Sequence, residues 1–206
     1  MSRRKKWLMA AILLVVASCS SVPENHYFTM SYVLLPQKDV KTFPVMLHVR
    51  QLEIMPAYDQ DSIVYRYSPY EFRYYNYMLW AAKPHKMVTN MLIRHLDHSQ
   101  LFEDVSQEYG DRRPDYELFG TIDAIEELDS GDEWFAHLAF TLRMTRFRGE
   151  KVIWSHRVDA KKQVYNKEPV YVVKAISELM EAEMGKVVTS LRTFLRSRPP
   201  EEEGRP

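Results

Sequence analysis

The sequence predicts an α+β domain built as a two-layer sandwich, in which a mixed or antiparallel sheet carries two amphipathic helices on one face. Two segments place apolar side chains at spacings of three and four residues, which is the period of a helix with one buried face. Other segments alternate apolar and polar residues, which is the period of a strand. Because two amphipathic helices need an apolar surface to cover, the order strands, helix, strands, helix favours one sheet with both helices on the same side.

The start of the chain has the pattern of an export signal. Four basic residues, Arg3 to Lys6, precede an uncharged apolar run, Trp7–Val16. This run is too short to span a bilayer as a stable helix but is long enough for the core of a signal peptide. It ends in Val16-Ala17-Ser18-Cys19, which resembles the lipobox of bacterial lipoproteins. We therefore expect residues 1–18 to be a signal peptide and Cys19 to be the lipidated first residue of the mature chain.

The residues around Cys19 bear on localisation and stability. Ser20 follows the cysteine, where lipoproteins retained in the inner membrane usually have Asp, so we expect a lipid anchor in the outer membrane that faces the periplasm. Residues 19–26 predict a short lipidated tether. Cys19 is the only cysteine, so no disulfide forms within the chain and the domain depends on its hydrophobic core. The 28 basic and 28 acidic residues balance, which gives no indication of a nucleic-acid partner.

The domain, which we place at 27–195, begins with strands. The first strand is predicted at 27–35. The next, at 45–54, alternates apolar and polar side chains but changes phase by one residue. A change of phase turns the following side chains to the other face of the sheet, so we expect a bulge near Arg50–Gln51.

A hairpin and a helix follow. Two short strands at 63–67 and 71–75 flank Ser68-Pro69-Tyr70, which has the composition of a turn. Proline is favoured at the first helical position, so Pro84 is expected to open a helix that ends near His98. The apolar face of this helix consists of Met87, Val88, Met91, Leu92 and Leu96. After it, Leu101-Phe102 is expected to enter the core.

Three strands with clear alternation form the second half of the sheet. They are predicted around 116–124, 134–144 and 152–158. Turn residues at 129–132 and 148–150 separate them, so we expect an antiparallel meander with one face exposed to solvent.

A long helix closes the domain. It begins at Pro169, and its apolar face consists of Val172, Val173, Ile176, Leu179, Met180, Val187, Leu191 and Phe194. The tail at 196–206 is rich in Pro, Gly and charge, which predicts disorder.

No arrangement of residues points to catalysis or to a cofactor. His95 and His98 lie three residues apart on the first helix, but one helix supplies only two imidazoles, and an ordinary polar helix face is favoured over a metal site. His137 and His156 lie on strands, and the phase of His156 favours a buried or rim histidine. Glu126-Glu127 lies at a strand end beside a turn, where solvated charge is expected. With the one cysteine committed to lipid and no nucleophile or phosphate-binding motif present, we predict a protein that is not an enzyme and needs no cofactor or metal.

Aromatic residues are concentrated between positions 65 and 80. Both faces of a short hairpin cannot be buried under the same two helices, so we expect about half of these rings to pack on the core and the others to be exposed beside arginines. Exposed tyrosine, tryptophan and arginine are typical of a protein interface or of a surface that touches lipid. The candidate partner-binding residues are Tyr65, Arg66, Tyr67, Tyr70, Arg73, Tyr74, Tyr75 and Trp80.

Several short sequences run through the domain in a characteristic order. They are Ile63-Val64-Tyr65-Arg66, Glu71–Tyr77, Trp80-Ala81 with Pro84, Ser99–Phe102, Asp115–Leu118 with Gly120, and Val152–Ser155. In this order and spacing they resemble the auxiliary lipoproteins of ABC-type transporters, the family that includes PqiC. The resemblance extends from about Tyr27 to Phe194, which is nearly the whole mature chain.

The resemblance implies a noncatalytic role in lipid traffic between the inner and outer membranes. Lipoproteins of this family work with MCE-domain proteins, which form rings or tubes across the periplasm and are linked to an inner-membrane permease and ATPase. The lipoprotein would then dock the far end of this conduit at the outer membrane, and several copies would assemble around it as a ring. The resemblance does not identify the transported lipid.

Two other classes of function remain open from the sequence. One is an outer-membrane assembly lipoprotein that binds a β-barrel, which would copurify with a barrel instead of an ABC system. The other is a periplasmic hydrolase with an unrecognised site. Activity on ester or phosphate model substrates that is lost in the variant His156→Ala would support this class.

Overall fold

The structure, a computed structural model, describes residues 23–34, 42–166 and 168–197, and in these residues it contains nine strands and two α-helices. In chain order the elements are β1 (His26–Phe28), β2 (Phe43–Val49), β3 (Glu53–Ile54), β4 (Ser62–Ser68), β5 (Glu71–Trp80), α1 (Pro84–His98), β6 (Phe102–Ser106), β7 (Tyr116–Asp129), β8 (Trp134–Arg146), β9 (Val152–Val164) and α2 (Pro169–Ser197). A single 3-10 turn, Pro56–Tyr58, lies between β3 and β4 in the described chain.

The longest strand, β7, organises the sheet. Along one edge it pairs antiparallel with β8, which in turn pairs antiparallel with β9. Along its other edge three strands follow one another, all parallel to it: β2 opposite its beginning, β3 opposite its middle and β4 opposite its end. β6 lies outside β2, whereas β5 and then β1 lie outside β4. The two ends of β7 therefore mark the two ends of the molecule.

Both helices begin at a proline, as predicted. Their predicted apolar faces are buried in the single hydrophobic core of the described residues, with Phe194 partly buried. The helices contact each other and the sheet, and polar bonds fix their positions: the Trp154 indole donates to the Ser190 hydroxyl at 3.1 Å, and the Leu52 amide donates to the Thr89 hydroxyl at 3.1 Å. The prediction of an α+β sandwich with two amphipathic helices on one face is confirmed.

The predicted change of phase near Arg50–Gln51 is confirmed as a one-residue irregularity. Val49 pairs with Leu118 and Glu53 pairs with Thr121, so four residues on one strand span three on the other (53 − 49 = 4; 121 − 118 = 3). The offset is large enough to end β2 and start β3. Leu52, within the offset, is buried in the core.

Other boundaries differ from the predictions. The first strand, predicted at 27–35, pairs only over His26–Phe28, because Ser31 and Tyr32 leave the sheet to bond Ser177 and His95 on the helices. The second hairpin strand runs on to Trp80 instead of ending at Tyr75. β6 was not predicted: it follows the buried Leu101-Phe102 and pairs parallel with β2, and that pairing joins residues distant in the chain.

Several predictions fall outside the described residues. These are the signal peptide, Cys19 with the first part of the tether, and the tail beyond Ser197. Helix α2 includes residues 196 and 197, which were expected in the tail. Among the described helices, none has the length and apolar character needed to cross a membrane.

Candidate docking site on a tyrosine-rich hairpin

The aromatic segment forms the hairpin of β4 and β5, which extends along the last part of β7. Tyr65 and Arg66 pair with Glu127 and Leu128 of β7. Across the hairpin, Tyr65 pairs with Arg73. β4 joins the hairpin to β7, and β1 pairs with the last residues of β5 on the other edge, so the turn of the hairpin projects at the end of the molecule.

The hairpin divides its eight aromatic rings equally, as expected. Tyr65, Phe72 and Tyr75 are half-buried, and Trp80 is buried in the core at 3% exposure. Exposed rings are Tyr67, Tyr70, Tyr74 and Tyr77, of which Tyr70 is 94% exposed. Trp80 was predicted as a partner contact, but its burial assigns it to the fold.

The exposed part of the hairpin is ordered by its own contacts. The Arg73 guanidinium lies over the Tyr67 ring at 5.0 Å from the centroid, and its Nε donates to the Glu71 carboxylate at 2.8 Å. The Tyr67 ring packs edge-on against Tyr65 with centroids 5.5 Å apart. The Tyr74 hydroxyl donates to the Ala57 carbonyl at 3.3 Å. These contacts restrict the conformations of the exposed side chains, and a preordered surface of this kind costs less entropy to bind.

Arg66, predicted as an exposed cation, belongs instead to a buried network on the face of the sheet away from the helices. Its guanidinium donates to the Glu126 carboxylate and lies over the Phe72 ring at 5.0 Å. The same carboxylate accepts a hydrogen bond from the Tyr58 hydroxyl at 2.6 Å and lies 2.9 Å from Nδ1 of His137. Nε2 of His137 lies 3.0 Å from the Asp159 carboxylate.

The expectation that Glu126-Glu127 is solvated is wrong, because the two side chains are 0% and 1% exposed. The 3-10 turn brings Tyr58 over Glu126 on the face predicted to be open, so that face is partly covered. Burial alone would raise the pKa of Glu126, but hydrogen bonds from His137, Arg66 and Tyr58 lower it below its ordinary value. Burial and the bond to Glu126 raise the pKa of Tyr58.

Glu127 lies on the opposite face, because consecutive strand residues point to opposite sides of a sheet. It accepts a hydrogen bond from the Tyr75 hydroxyl at 3.1 Å. Burial raises the pKa of Glu127 to about 7, and the nearby Asp129 carboxylate acts in the same direction. Tyr75, predicted as a partner contact, is thus a half-buried hydrogen-bond donor within the fold.

The histidines noted in the sequence have structural partners. Nδ1 of His95 lies 2.9 Å from the Tyr32 hydroxyl, so this helix position fastens the segment after β1. His156 is half-buried and stacks on Trp154 with centroids 5.9 Å apart. The described residues contain no cluster of three or more His, Cys, Asp or Glu side chains that could hold a metal ion.

Sequence reasoning missed a second group of exposed aromatic residues near the hairpin turn. Tyr165 and Tyr171 are 88% and 43% exposed and lie where β9 leads into α2. A cleft of about 240 Å³ adjoins the hairpin turn and is lined by residues that include Tyr67, Pro69 and Lys161. The pairing of strands that are distant in the chain brings these segments together. No short stretch of the sequence therefore indicated that these tyrosines lie near the hairpin turn.

Comparisons with known proteins agree with this architecture. The family model described as the ABC-type transport auxiliary lipoprotein component matches residues 32–187. The crystal structure of protein XCC0632 from Xanthomonas campestris has 16% identity, covers 84% of this chain and 98% of its own, and superposes with a TM-score of 0.73. The hypothetical protein CT253 from Chlamydia trachomatis has 7% identity, covers 75% of this chain and 99% of its own, and gives a TM-score of 0.53. At these identities the likeness shows the fold. No curated protein matches the chain significantly.

Proposed function

The chain belongs to the family of ABC-type transport auxiliary lipoprotein components, and from this premise we propose that it is a noncatalytic, lipid-anchored docking subunit of an intermembrane lipid transporter. In this proposal Cys19 carries the lipid in the inner leaflet of the outer membrane. The folded domain binds the periplasmic conduit of the transporter, which is made of MCE-domain protein. Several copies of the domain surround the end of that conduit.

The exposed side chains of the hairpin are the observation that carries the docking role. Tyr67, Arg73, Tyr74 and Tyr77 are exposed on two adjacent strands. Tyr67 and Arg73 contact each other on one face of the hairpin, whereas Tyr74, the residue after Arg73, contacts Ala57 on the other face. Tyrosine and arginine are the residue types enriched among the few side chains that contribute most to binding at protein interfaces. We assign the partner contact to these four residues, whereas Tyr65, Arg66, Tyr75 and Trp80 are half-buried or buried and join the hairpin to the rest of the fold.

The buried ionisable groups support a noncatalytic role. The Glu126 carboxylate is 0% exposed, and its oxygens are engaged by Tyr58, Arg66 and His137. A general base or nucleophile must reach a substrate atom, and such a group needs an open approach. This buried cluster is therefore suited to holding the hairpin on the sheet.

Site-specific photocrosslinking in intact cell envelopes tests the proposal. A photoreactive residue at Tyr74 is expected to capture the MCE-domain component of an ABC-type transporter. The matched control is Tyr109, an exposed tyrosine in the loop at the other end of β7, which is more accessible than Tyr74 and is still expected to capture little of it. Capture of a β-barrel from position 74 would instead support an outer-membrane assembly lipoprotein. Equal capture of the MCE-domain component from both positions would show that the hairpin is not its specific binding site.

A loss-of-binding variant complements the crosslink. Tyr74→Ala is expected to weaken recovery of the transporter component while leaving the thermal unfolding midpoint nearly unchanged, because Tyr74 is 41% exposed. A large fall in the midpoint would show that the side chain acts through the fold.

A further inference from the structure

Three connections meet at the end of the molecule where β7 ends. The β4–β5 turn follows Arg66, which pairs with Leu128 near the end of β7. The β7–β8 turn joins Asp129 to Trp134, and Trp134 pairs with Val164 at the end of β9. The third connection leads from the end of β9 to α2. β4 and β9 are three strand spacings of about 4.8 Å apart, so the three connections lie within about 15 Å of one another.

Helix α2 starts at this same end. It runs antiparallel to β9, because Lys162 near the end of the strand pairs with Glu178 at 2.8 Å, whereas Trp154 near its beginning bonds Ser190. The first turn of α2 therefore lies beside the segment that follows β9. We call the exposed residues gathered here the tyrosine end: Tyr70, Tyr165, Val170 and Tyr171, which are 94%, 88%, 47% and 43% exposed.

The chain enters the fold from the direction of the tyrosine end. β1 is parallel to β5, with His26 opposite Met78 and Phe28 opposite Trp80. Residues before His26 therefore approach from the side of Glu71 and the hairpin turn. Seven residues of β5, 71–77, lie between Tyr70 and Met78, and the eight residue steps (78 − 70 = 8) correspond to about 26 Å of strand.

The tether between Cys19 and the sheet is short enough to constrain which end meets the membrane. Seven residues lead from Cys19 to His26 (26 − 19 = 7), and a fully extended chain of that length spans at most about 25 Å. The chain enters from this side, and at full extension the tether is about as long as the strand that separates the level of His26 from Tyr70. An extended tether therefore allows the anchor to lie at the tyrosine end. This step depends on lipid attachment at Cys19, which is part of the proposed function.

We infer that the tyrosine end docks on the phospholipid surface to which Cys19 is anchored. Tyrosine has an apolar ring and a polar hydroxyl, and it is enriched at the boundary between lipid and water for this reason. Val170 adds an aliphatic contact beside Tyr171. Docking orients the domain with the end of β7 at the membrane and its beginning away from it, so that the exposed side chains of the hairpin strands stay free for a protein partner.

The charges at this end exclude a mainly electrostatic attraction. Asp132, Glu133 and Glu168 are exposed at the same connections as Lys161 and Lys162. Acidic and basic groups of similar number leave little net attraction for anionic lipid, and charge-driven contacts weaken with salt. Contact through the tyrosine rings is expected to persist at high ionic strength.

The test places a nitroxide label on the mature, acylated protein reconstituted into vesicles of phosphatidylethanolamine and phosphatidylglycerol. Labels are attached at Tyr70→Cys and, as the matched control, at Tyr109→Cys, which replaces a 63% exposed tyrosine at the opposite end. The sulfur of Cys19 is acylated and does not react with the label. We expect position 70 to collide more with oxygen and less with a water-soluble nickel chelate than position 109, at both low and high salt. Tyr165→Cys is expected to behave like position 70.

Each other outcome overturns the inference. Equal nickel accessibility at positions 70 and 109 would show that neither end rests on lipid. Immobilisation of the label at 70 without a gain in oxygen collisions would indicate contact with a second copy of the chain. Protein that fails to float with the vesicles would overturn both this inference and the anchor at Cys19. Because the vesicles contain no transporter, a failure here is independent of crosslinking at Tyr74.

Discussion

Glu126 and Glu127 show how neighbouring residues of one strand acquire opposite electrostatic behaviour. Both carboxylates are buried, but Glu126 is met by Arg66, His137 and Tyr58, whereas Glu127 is met by the hydroxyl of Tyr75. At Glu126, hydrogen bonds to the ionised carboxylate outweigh the effect of burial and lower the pKa. At Glu127, burial has the larger effect and raises the pKa. The first group stabilises the fold when charged, and the second stabilises it when neutral.

The variant Glu127→Gln tests the effect of burial on Glu127. Its pKa of about 7 in the fold lies above the ordinary value of 4.5, so the stability that the neutral acid provides is complete below pH 4.5 and is lost as the pH rises toward 7. Glutamine stays neutral, so the variant should match the wild type at pH 5 and exceed its free energy of unfolding by about 2 kcal/mol at pH 8. Urea unfolding at both pH values measures this. Glu133→Gln, at an exposed position, serves as the control, and an equal effect of Glu127→Gln at both pH values would contradict the assignment.

A double-mutant cycle tests the network on the other face. Arg66→Met should lower the free energy of unfolding by about 3 kcal/mol, because it leaves the Glu126 carboxylate buried without its guanidinium. Adding Glu126→Gln removes that charge, so the double variant should be less damaged than the sum of the two single variants by about 1 kcal/mol or more. Additive losses would show that the two side chains act independently. Since the pKa of Glu126 is lowered in the fold, the coupling should be present at neutral pH and lost in acid.

The buried network was out of reach of sequence reasoning for a definite reason. Glu126 bonds residues 60 and 68 positions earlier in the chain and one 11 positions later. Beside a turn, a pair of glutamates is ordinarily solvated, and nothing local distinguishes this pair. The exposed tyrosines of the hairpin were predictable as a group, because rings on both faces of a short hairpin exceed what two helices can cover.

At the scale of elements, β7 depends on one close approach to β8. A methyl group on Gly120 would lie 2.1 Å from the Thr141 carbonyl oxygen, which is backbone and cannot move aside without parting the strands. Gly120→Ala is therefore expected to lower the free energy of unfolding by about 2 kcal/mol or more. Gly185→Ala is the control: its added methyl meets no atom within 4 Å on an exposed helix position, so it should raise stability by up to about 1 kcal/mol. A tolerated Gly120→Ala would show that β7 and β8 are farther apart than described.

The elements that sequence analysis predicted are those whose pattern is local. Proline at the first turn and the apolar spacing of three and four place α1 at Pro84–His98 and the start of α2 at Pro169. β1 and β6 are strands of three and five residues whose pairing partners are distant in the chain. The sequence predicted a strand at β1 but with the wrong bounds, and it did not predict β6, because segments this short carry few alternating positions and their edges are set by what they pair with.

At the scale of the whole molecule, the proposed function assigns anchoring and partner binding to separate parts of the chain. The proposed tether joins the fold at β1, whereas Tyr74 lies on β5 and contacts Ala57. Anchoring would then contribute to docking mainly by confining the domain to the membrane near its partner, which raises its effective concentration. We expect the intrinsic affinity of the hairpin for the partner to be independent of the lipid.

Replacing the signal peptide and Cys19 by a cleavable secretory signal that is not acylated tests this separation. The released domain should move to the soluble periplasmic fraction, and crosslinking from Tyr74 in intact cells should fall, because the effective concentration near the partner is lost. In detergent extracts mixed at equal protein concentration, recovery of the partner should equal that of the acylated protein. Tyr74→Ala removes the proposed contact itself, so this variant should recover less of the partner both in intact cells and in detergent extracts. If the unacylated protein also fails in detergent, the lipid or the tether belongs to the binding surface, and the hairpin alone does not account for docking.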